Sequence, residues 1–187
     1  MVGSKQDPLS HARQFSLAGL LGAMGLLLPI GFHALGWGGK ILLPMHLPIV
    51  IAGFLLEPGL AVSLGLIVPL LSAVLTGMPP LAPPVALLMS VELAVKAGVA
   101  SILYRRLRMP MWAALPVAIA ADWGVLVMAA MLATKFFAIQ ASPVKYIVAA
   151  VLVSLPGTIL QLAAVPAVVL TIERRIPSFR RRQAETA

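Results

Sequence analysis

Three charged side chains interrupt stretches of the sequence that are otherwise apolar: Glu92, Lys96 and Asp122. Glu92 and Lys96 are four residues apart, so on a helix they would share one face in the favourable order, acid before base. Charged groups at membrane depth are costly and usually face a cavity or each other. The spacing leaves two interpretations open: a mutually neutralising pair, or a site at which one or both groups reach a polar ligand.

Asp122 stands near the middle of its apolar stretch, beside Trp123. An unpaired carboxylate in hydrocarbon is too costly to persist, so Asp122 must meet Lys96, a histidine, water, a ligand or a proton. A structural pair with Lys96 and a role in ligand binding are both compatible with the sequence.

Four further residues are candidates for the same pocket. His46 lies between two prolines at the mouth of an apolar segment, where irregular backbone must be buried in protein or line a wet cavity. Gln161 lies in the middle of another apolar segment, and we expect it to face the interior of the bundle. Trp37 and Met78 could line a pocket for a planar ligand, or serve as an interface anchor and a core filler.

Motifs for metal binding and for catalysis are missing from the sequence. There is no ligand spacing such as HExxH, no GxSxG and no Walker A sequence, and the chain has no cysteine. We therefore predict no metal, no cofactor and no ATP hydrolysis by this chain itself.

The composition is that of a membrane protein. Of the 187 residues, 60% are hydrophobic and only 11% are charged, against about 25% in a soluble domain. The mean hydropathy is +1.01. The net charge of +8 comes from short basic clusters beside apolar spans, which is the pattern of topology signals and not of nucleic-acid binding. We predict a single integral membrane domain, 1–187.

The apolar segments predict an all-α bundle of six transmembrane helices. Ten lysines and arginines fall on the side of the two termini and three on the other side, so the positive-inside rule places both termini in the cytoplasm of a multi-pass protein in the cell membrane. The predicted helices are about 15–31, 41–56, 59–77, 85–104, 111–134 and 146–172.

Small residues recur at four-residue spacing in the first helix, as Ala18 with Gly22 and as Gly19 with Ala23. Such spacing lets two helix backbones approach closely in lipid. Packing within the bundle and docking to a partner subunit are equally compatible with it.

In these features the chain resembles the substrate-binding S components of energy-coupling factor (ECF) vitamin transporters. The resemblance rests on the length, the six helices, the spacing of Ala18 and Gly22, and a run that is followed by Glu92: PMHLPIVIAGFLLEPGLAVSLGLIVPLLSAVLTGMPPLAPP. It extends over essentially the whole chain, and its specific part is residues 44–92.

The resemblance implies a membrane-embedded protein that captures a water-soluble vitamin or related micronutrient from outside. The protein would then dock on a transmembrane coupling subunit driven by two cytoplasmic ATPase subunits, with the proline-rich loop 78–84 closing over the ligand. By position, the small residues of the first helix would meet the coupling subunit. Also by position, the family's ligand pocket maps onto Trp37, His46, Met78, Glu92, Lys96, Asp122 and Gln161.

Two other classes of function remain open on the sequence. A solitary proton- or ion-coupled carrier could use Asp122 as its proton site, although no inverted repeat is evident. A membrane-embedded hydrolase or transferase could use Glu92, His46 and Asp122, although no catalytic spacing supports it.

Overall fold

The computed structural model describes residues 8–34, 43–81, 85–136 and 143–175. All the regular structure in these ranges is helical, which confirms the predicted all-α class. A π-helical turn, Ile102–Arg106, extends the fourth helix. The helices, in chain order, are α1 Pro8–Ala34, α2 His46–Leu55, α3 Pro58–Thr76, α4 Val85–Ser101, α5 Met111–Phe136 and α6 Pro143–Arg175.

Five helices in the described ranges are long and apolar enough to cross a membrane, and α2 is the exception. Its 10 residues rise about 15 Å, half of the ~30 Å hydrocarbon core. Of the segment predicted as helix 41–56, residues 43–56 are described, and the helix begins at His46 because Leu43 has a positive φ of 49° and Pro44 and Met45 form a turn. Six membrane crossings and cytoplasmic termini stay predictions.

The short helix α2 occupies the centre of the bundle. It contacts α1, α3, α4 and α6, and nine of its ten residues are buried. The turn that precedes it is buried as well, with Met45 only 3% exposed. The irregular backbone before α2 is thus enclosed by protein, which is the condition for such backbone at membrane depth.

Glycines set the close approach of the central helices. A Cβ atom on Gly65 of α3 would lie 2.5 Å from the backbone N and Cα of Ala94 in α4. A Cβ atom on Gly53 of α2 would lie 2.8 Å from the carbonyl oxygen of Ala97, one turn further along α4. Glycine is required at both positions because any side chain would separate α4 from its neighbours.

The four small residues of α1 divide between two faces. Ala18 and Gly22 are buried, and a Cβ atom on Gly22 would lie 3.2 Å from Leu64 of α3. Gly19 and Ala23 are exposed, and nothing lies within 4 Å of a Cβ atom built on Gly19.

Hydrogen bonds join several helices at one end of the bundle. We call this end the arginine end and define it by four residues: Ser101, Arg105, Leu56 and Glu173. The last carbonyls of a helix lack partners within it. Here Arg105 donates to the carbonyl of Leu55 at 2.6 Å, and Ser101 donates to the carbonyl of Leu56 at 2.8 Å. Tyr104 donates to Glu173 of α6 at 2.8 Å, so α2, α4 and α6 are held together at this end.

Candidate functional site

Lys96 lies at a junction of α2, α4 and α5. Its side chain is 2% exposed, and its ammonium nitrogen lies 2.5 Å from Oδ2 of Asp122 in α5. The same nitrogen lies 3.0 Å from Nδ1 of His46, the first residue of α2. An ammonium group has donors only, so Nδ1 accepts the hydrogen bond and the neutral ring carries its proton on Nε2.

Lys96 therefore pairs across helices and not with Glu92 on its own helix. The i, i+4 spacing placed Glu92 and Lys96 on one face of α4, but the ammonium group is taken up by Asp122 and His46. Oε1 of Glu92 is buried without a hydrogen-bond partner among the described residues. The Lys96 ammonium group thus forms its ion pair with Asp122, and a role for Glu92 in ligand binding stays a prediction.

Gln161 projects into the bundle from α6. It is 1% exposed, and it shares one helix face with the buried Thr158, Val165 and Val169, at spacings of three and four residues. Neither its amide oxygen nor its amide nitrogen has a hydrogen-bond partner in the ranges that the structure describes. The predicted inward orientation of Gln161 agrees with this burial.

Polar atoms without partners are the distinguishing property of this region. Besides those of Glu92 and Gln161, Oδ1 of Asp122 is buried and unpartnered within the described ranges. Leaving such a group unsatisfied costs about 1–3 kcal/mol, and native proteins do so rarely. We use the name polar cluster for five residues: Lys96 with its partners His46 and Asp122, and the two further residues with unpartnered buried atoms, Glu92 and Gln161.

Of the two remaining predicted pocket residues, Trp37 and Met78, the structure describes only Met78. Met78 is 52% exposed in the turn after α3, where its carbonyl accepts hydrogen bonds from Ser72 and Thr76. Trp37 lies outside the described residues, as do positions 82–84 of the proline-rich loop.

Two buried hydroxyl groups, on α4 and α6, were not anticipated from the sequence. Ser90 of α4 is 2% exposed and Thr158 of α6 is 7% exposed. Each donates to the carbonyl four residues earlier in its own helix, to Ala86 and to Ser154. This local bonding satisfies the hydroxyl proton without a tertiary partner. The only sequence signal for these two positions was a serine or threonine within an apolar segment.

Neither a metal site nor a catalytic relay is evident in the described part of the chain. No three of its His, Cys, Asp and Glu side chains are grouped so that they could hold a metal ion. Nδ1 of His46 faces Lys96, so this nitrogen is not oriented by a carboxylate as it would be in a nucleophilic triad.

Comparison with known proteins identifies the family. The sequence model described as "ECF transporter, substrate-specific component" matches residues 13–171, which include all six helices in whole or in large part. The chain belongs to this family of substrate-specific components. The resemblance predicted from the sequence is thereby confirmed, and with it the assignment to membrane transport and substrate binding. No curated protein and no solved structure matches this substrate-specific component.

Proposed function

We propose that this substrate-specific component binds one small, water-soluble micronutrient at the polar cluster for ATP-driven import. The observation that carries the proposal is the set of buried, unpartnered polar atoms on Glu92, Asp122 and Gln161. A ligand that satisfied them would remove their desolvation cost and would be held by groups from α4, α5 and α6 at once. Lys96 and His46 fix the geometry of the cluster by joining α2, α4 and α5.

The ligand is proposed to enter from the side opposite the arginine end. His46 opens α2, and α2 runs from there to Leu55, whose carbonyl is held by Arg105. The second half of α2 is fully buried, so packed side chains separate the polar cluster from the arginine end. With both termini in the cytoplasm, as the charge distribution predicts, the side opposite the arginine end faces outside.

The proposed partners are a transmembrane coupling subunit and two cytoplasmic ATPase subunits. Of the four small residues in α1, we propose Gly19 and Ala23 for docking, because their face is free of neighbours in the described structure. Ala18 and Gly22 are buried in the packing of α1, so their contribution to docking would be indirect.

Native mass spectrometry of the purified chain tests the binding function. We expect a bound compound of vitamin-like mass that is lost on Asp122→Asn and retained on Glu57→Gln, the latter being an exposed position in the turn before α3. A chain that never carries or binds a small molecule, and never co-purifies with ATPase subunits, would contradict the proposal. Uptake that proceeds without ATPase subunits would instead support the solitary carrier.

A further inference from the structure

The unpartnered atoms of the polar cluster specify the chemistry of the ligand. We infer that this site selects a compact cation that carries at least two N–H donors on a conjugated nitrogen group, as an amidinium or a protonated amino-substituted heterocycle does. The inference deepens the proposed function and rests on it.

Hydrogen-bonding capacity gives the first argument. Among the described residues, the unpartnered buried atoms are Oε1 of Glu92, Oδ1 of Asp122, and the oxygen and nitrogen of the Gln161 amide. The carboxylate oxygens and the amide oxygen accept hydrogen bonds, and the amide nitrogen alone donates. A ligand that satisfies this set must therefore present more donors than acceptors. A planar N–C–N group fits because its N–H groups can donate to the carboxylate oxygens and to the amide oxygen. An unprotonated ring nitrogen of an amino-substituted heterocycle can also accept from the Gln161 amide nitrogen, which an amidinium leaves without a partner.

The balance of charge gives the second argument. Asp122 and Glu92 together carry two negative charges when ionised, and Lys96 supplies one positive charge. The amino end of α2 at His46 adds a partial charge of about +0.5. With both carboxyl groups ionised the sum is negative, and a net charge at this depth must be compensated by a proton or by a cation. A cationic ligand supplies the compensation and leaves both carboxylates able to accept hydrogen bonds.

The cation already present is not available to an anionic ligand. A carboxylate substrate would need the ammonium group of Lys96, which contacts Asp122 and donates to His46. It would also place its charge close to the free oxygens of Glu92 and Asp122. Like charges in a medium of low polarity repel strongly, so the arrangement disfavours carboxylate vitamins at this site.

Three probes of the same size and shape isolate the effect of charge: benzamidine, a cation; benzamide, which is neutral; and benzoate, an anion. Binding to the purified chain in nanodiscs is measured by isothermal titration calorimetry at pH 7. We expect benzamidine to bind at least about tenfold more tightly than either of the others. Equal binding of benzamidine and benzamide, stronger binding of benzoate, or no binding of benzamidine at millimolar concentration would overturn the inference.

Glu92→Gln removes one charge while keeping the shape, and Glu57→Gln makes the same change in an exposed turn. We expect Glu92→Gln to reduce the preference for benzamidine over benzamide by about tenfold, and Glu57→Gln to leave it unchanged. A purely structural role for Glu92 would weaken both probes alike and would contradict the inference. A carboxylate vitamin found by native mass spectrometry would overturn the ligand class and leave the proposed import function standing.

Discussion

At the scale of single residues, the site is defined by which groups are left without partners. Lys96 neutralises one of the two nearby carboxylates, and it does so across helices with His46 as a second acceptor. Oε1 of Glu92 and both amide atoms of Gln161 are buried without partners in the described structure. Stability alone would favour apolar side chains at these two positions, which supports the proposed binding role.

Lys96→Ala is expected to destabilise the protein by about 3–5 kcal/mol, because it leaves the Asp122 carboxylate buried without its partner. Ligand binding should weaken as well. Denaturant unfolding in detergent measures the first effect and titration with ligand the second. Lys135→Ala, near the end of α5, is the control and should change little. Equal effects of the two variants would contradict the placement of Lys96 in the pocket.

Replacing both charges of the pair provides a separate check. In Lys96→Met with Asp122→Leu, no buried charge remains from the pair, so unfolding stability should recover to near that of the natural protein. Ligand binding should stay lost. A double variant as unstable as Lys96→Ala alone would show that packing, and not charge, explains the single variant.

Gln161→Leu is expected to stabilise the ligand-free protein by about 1–3 kcal/mol, because it removes two buried polar atoms that lack partners among the described residues. The same variant should lose ligand affinity. Gln14→Leu is the matched control and should lower the stability, since the Gln14 side chain accepts a hydrogen bond from the backbone N–H of Glu57 at 3.1 Å. A loss of stability in Gln161→Leu would contradict the assignment of free amide atoms.

At the scale of helices, the sequence predicted which kind of secondary structure forms better than it predicted which helices pack together. Apolar stretches predicted helical structure, which the described residues show, because hydropathy depends on each segment alone. The partner of Lys96 could not be chosen between Glu92 and Asp122, because spacing defines a face of one helix and says nothing about the register of the next. The start of α2 was predicted too early, since Leu43, Pro44 and Met45 are apolar like the helix that follows.

Gly65→Ala should destabilise the bundle by about 1–3 kcal/mol, because the added Cβ atom would lie 2.5 Å from the backbone of α4. Thermal unfolding in detergent measures the change. Gly124→Ala makes the same substitution on α5 where nothing lies within 4 Å, and it should be neutral or slightly stabilising. If both variants behaved alike, helix propensity and not close packing would explain the glycine at position 65.

Gly19→Leu is expected to weaken assembly with the coupling subunit by about tenfold, because it adds bulk to an exposed face on which two helices would have to approach closely. Ligand binding by the isolated chain should stay unchanged. Co-purification with the coupling and ATPase subunits measures assembly. Ala163→Leu, at an exposed position of α6, is the control. Normal assembly of the Gly19 variant would remove this face of α1 from the proposed interface.

At the scale of the whole molecule, the charge distribution predicts the orientation in the membrane. Because the natural chain has no cysteine, single cysteines report their own exposure without interference. A membrane-impermeant maleimide applied to intact cells should label Ser142→Cys and should label neither Val2→Cys nor Thr186→Cys until the cells are opened. Labelling of either terminal position in intact cells would contradict the cytoplasmic location of that terminus.

The short helix α2 affects the route that a bound solute could take. The C-terminal end of α2 is densely packed: Phe54, Leu55 and the following Leu56 are each at most 1% exposed, and the Phe54 ring contacts the Tyr104 ring edge to face. If a solute binds at the polar cluster as proposed, it has no path along α2 toward the arginine end, because buried side chains fill that route. We therefore expect delivery to the far side of the membrane to require a reorientation of the helices and not passage through the centre of the bundle.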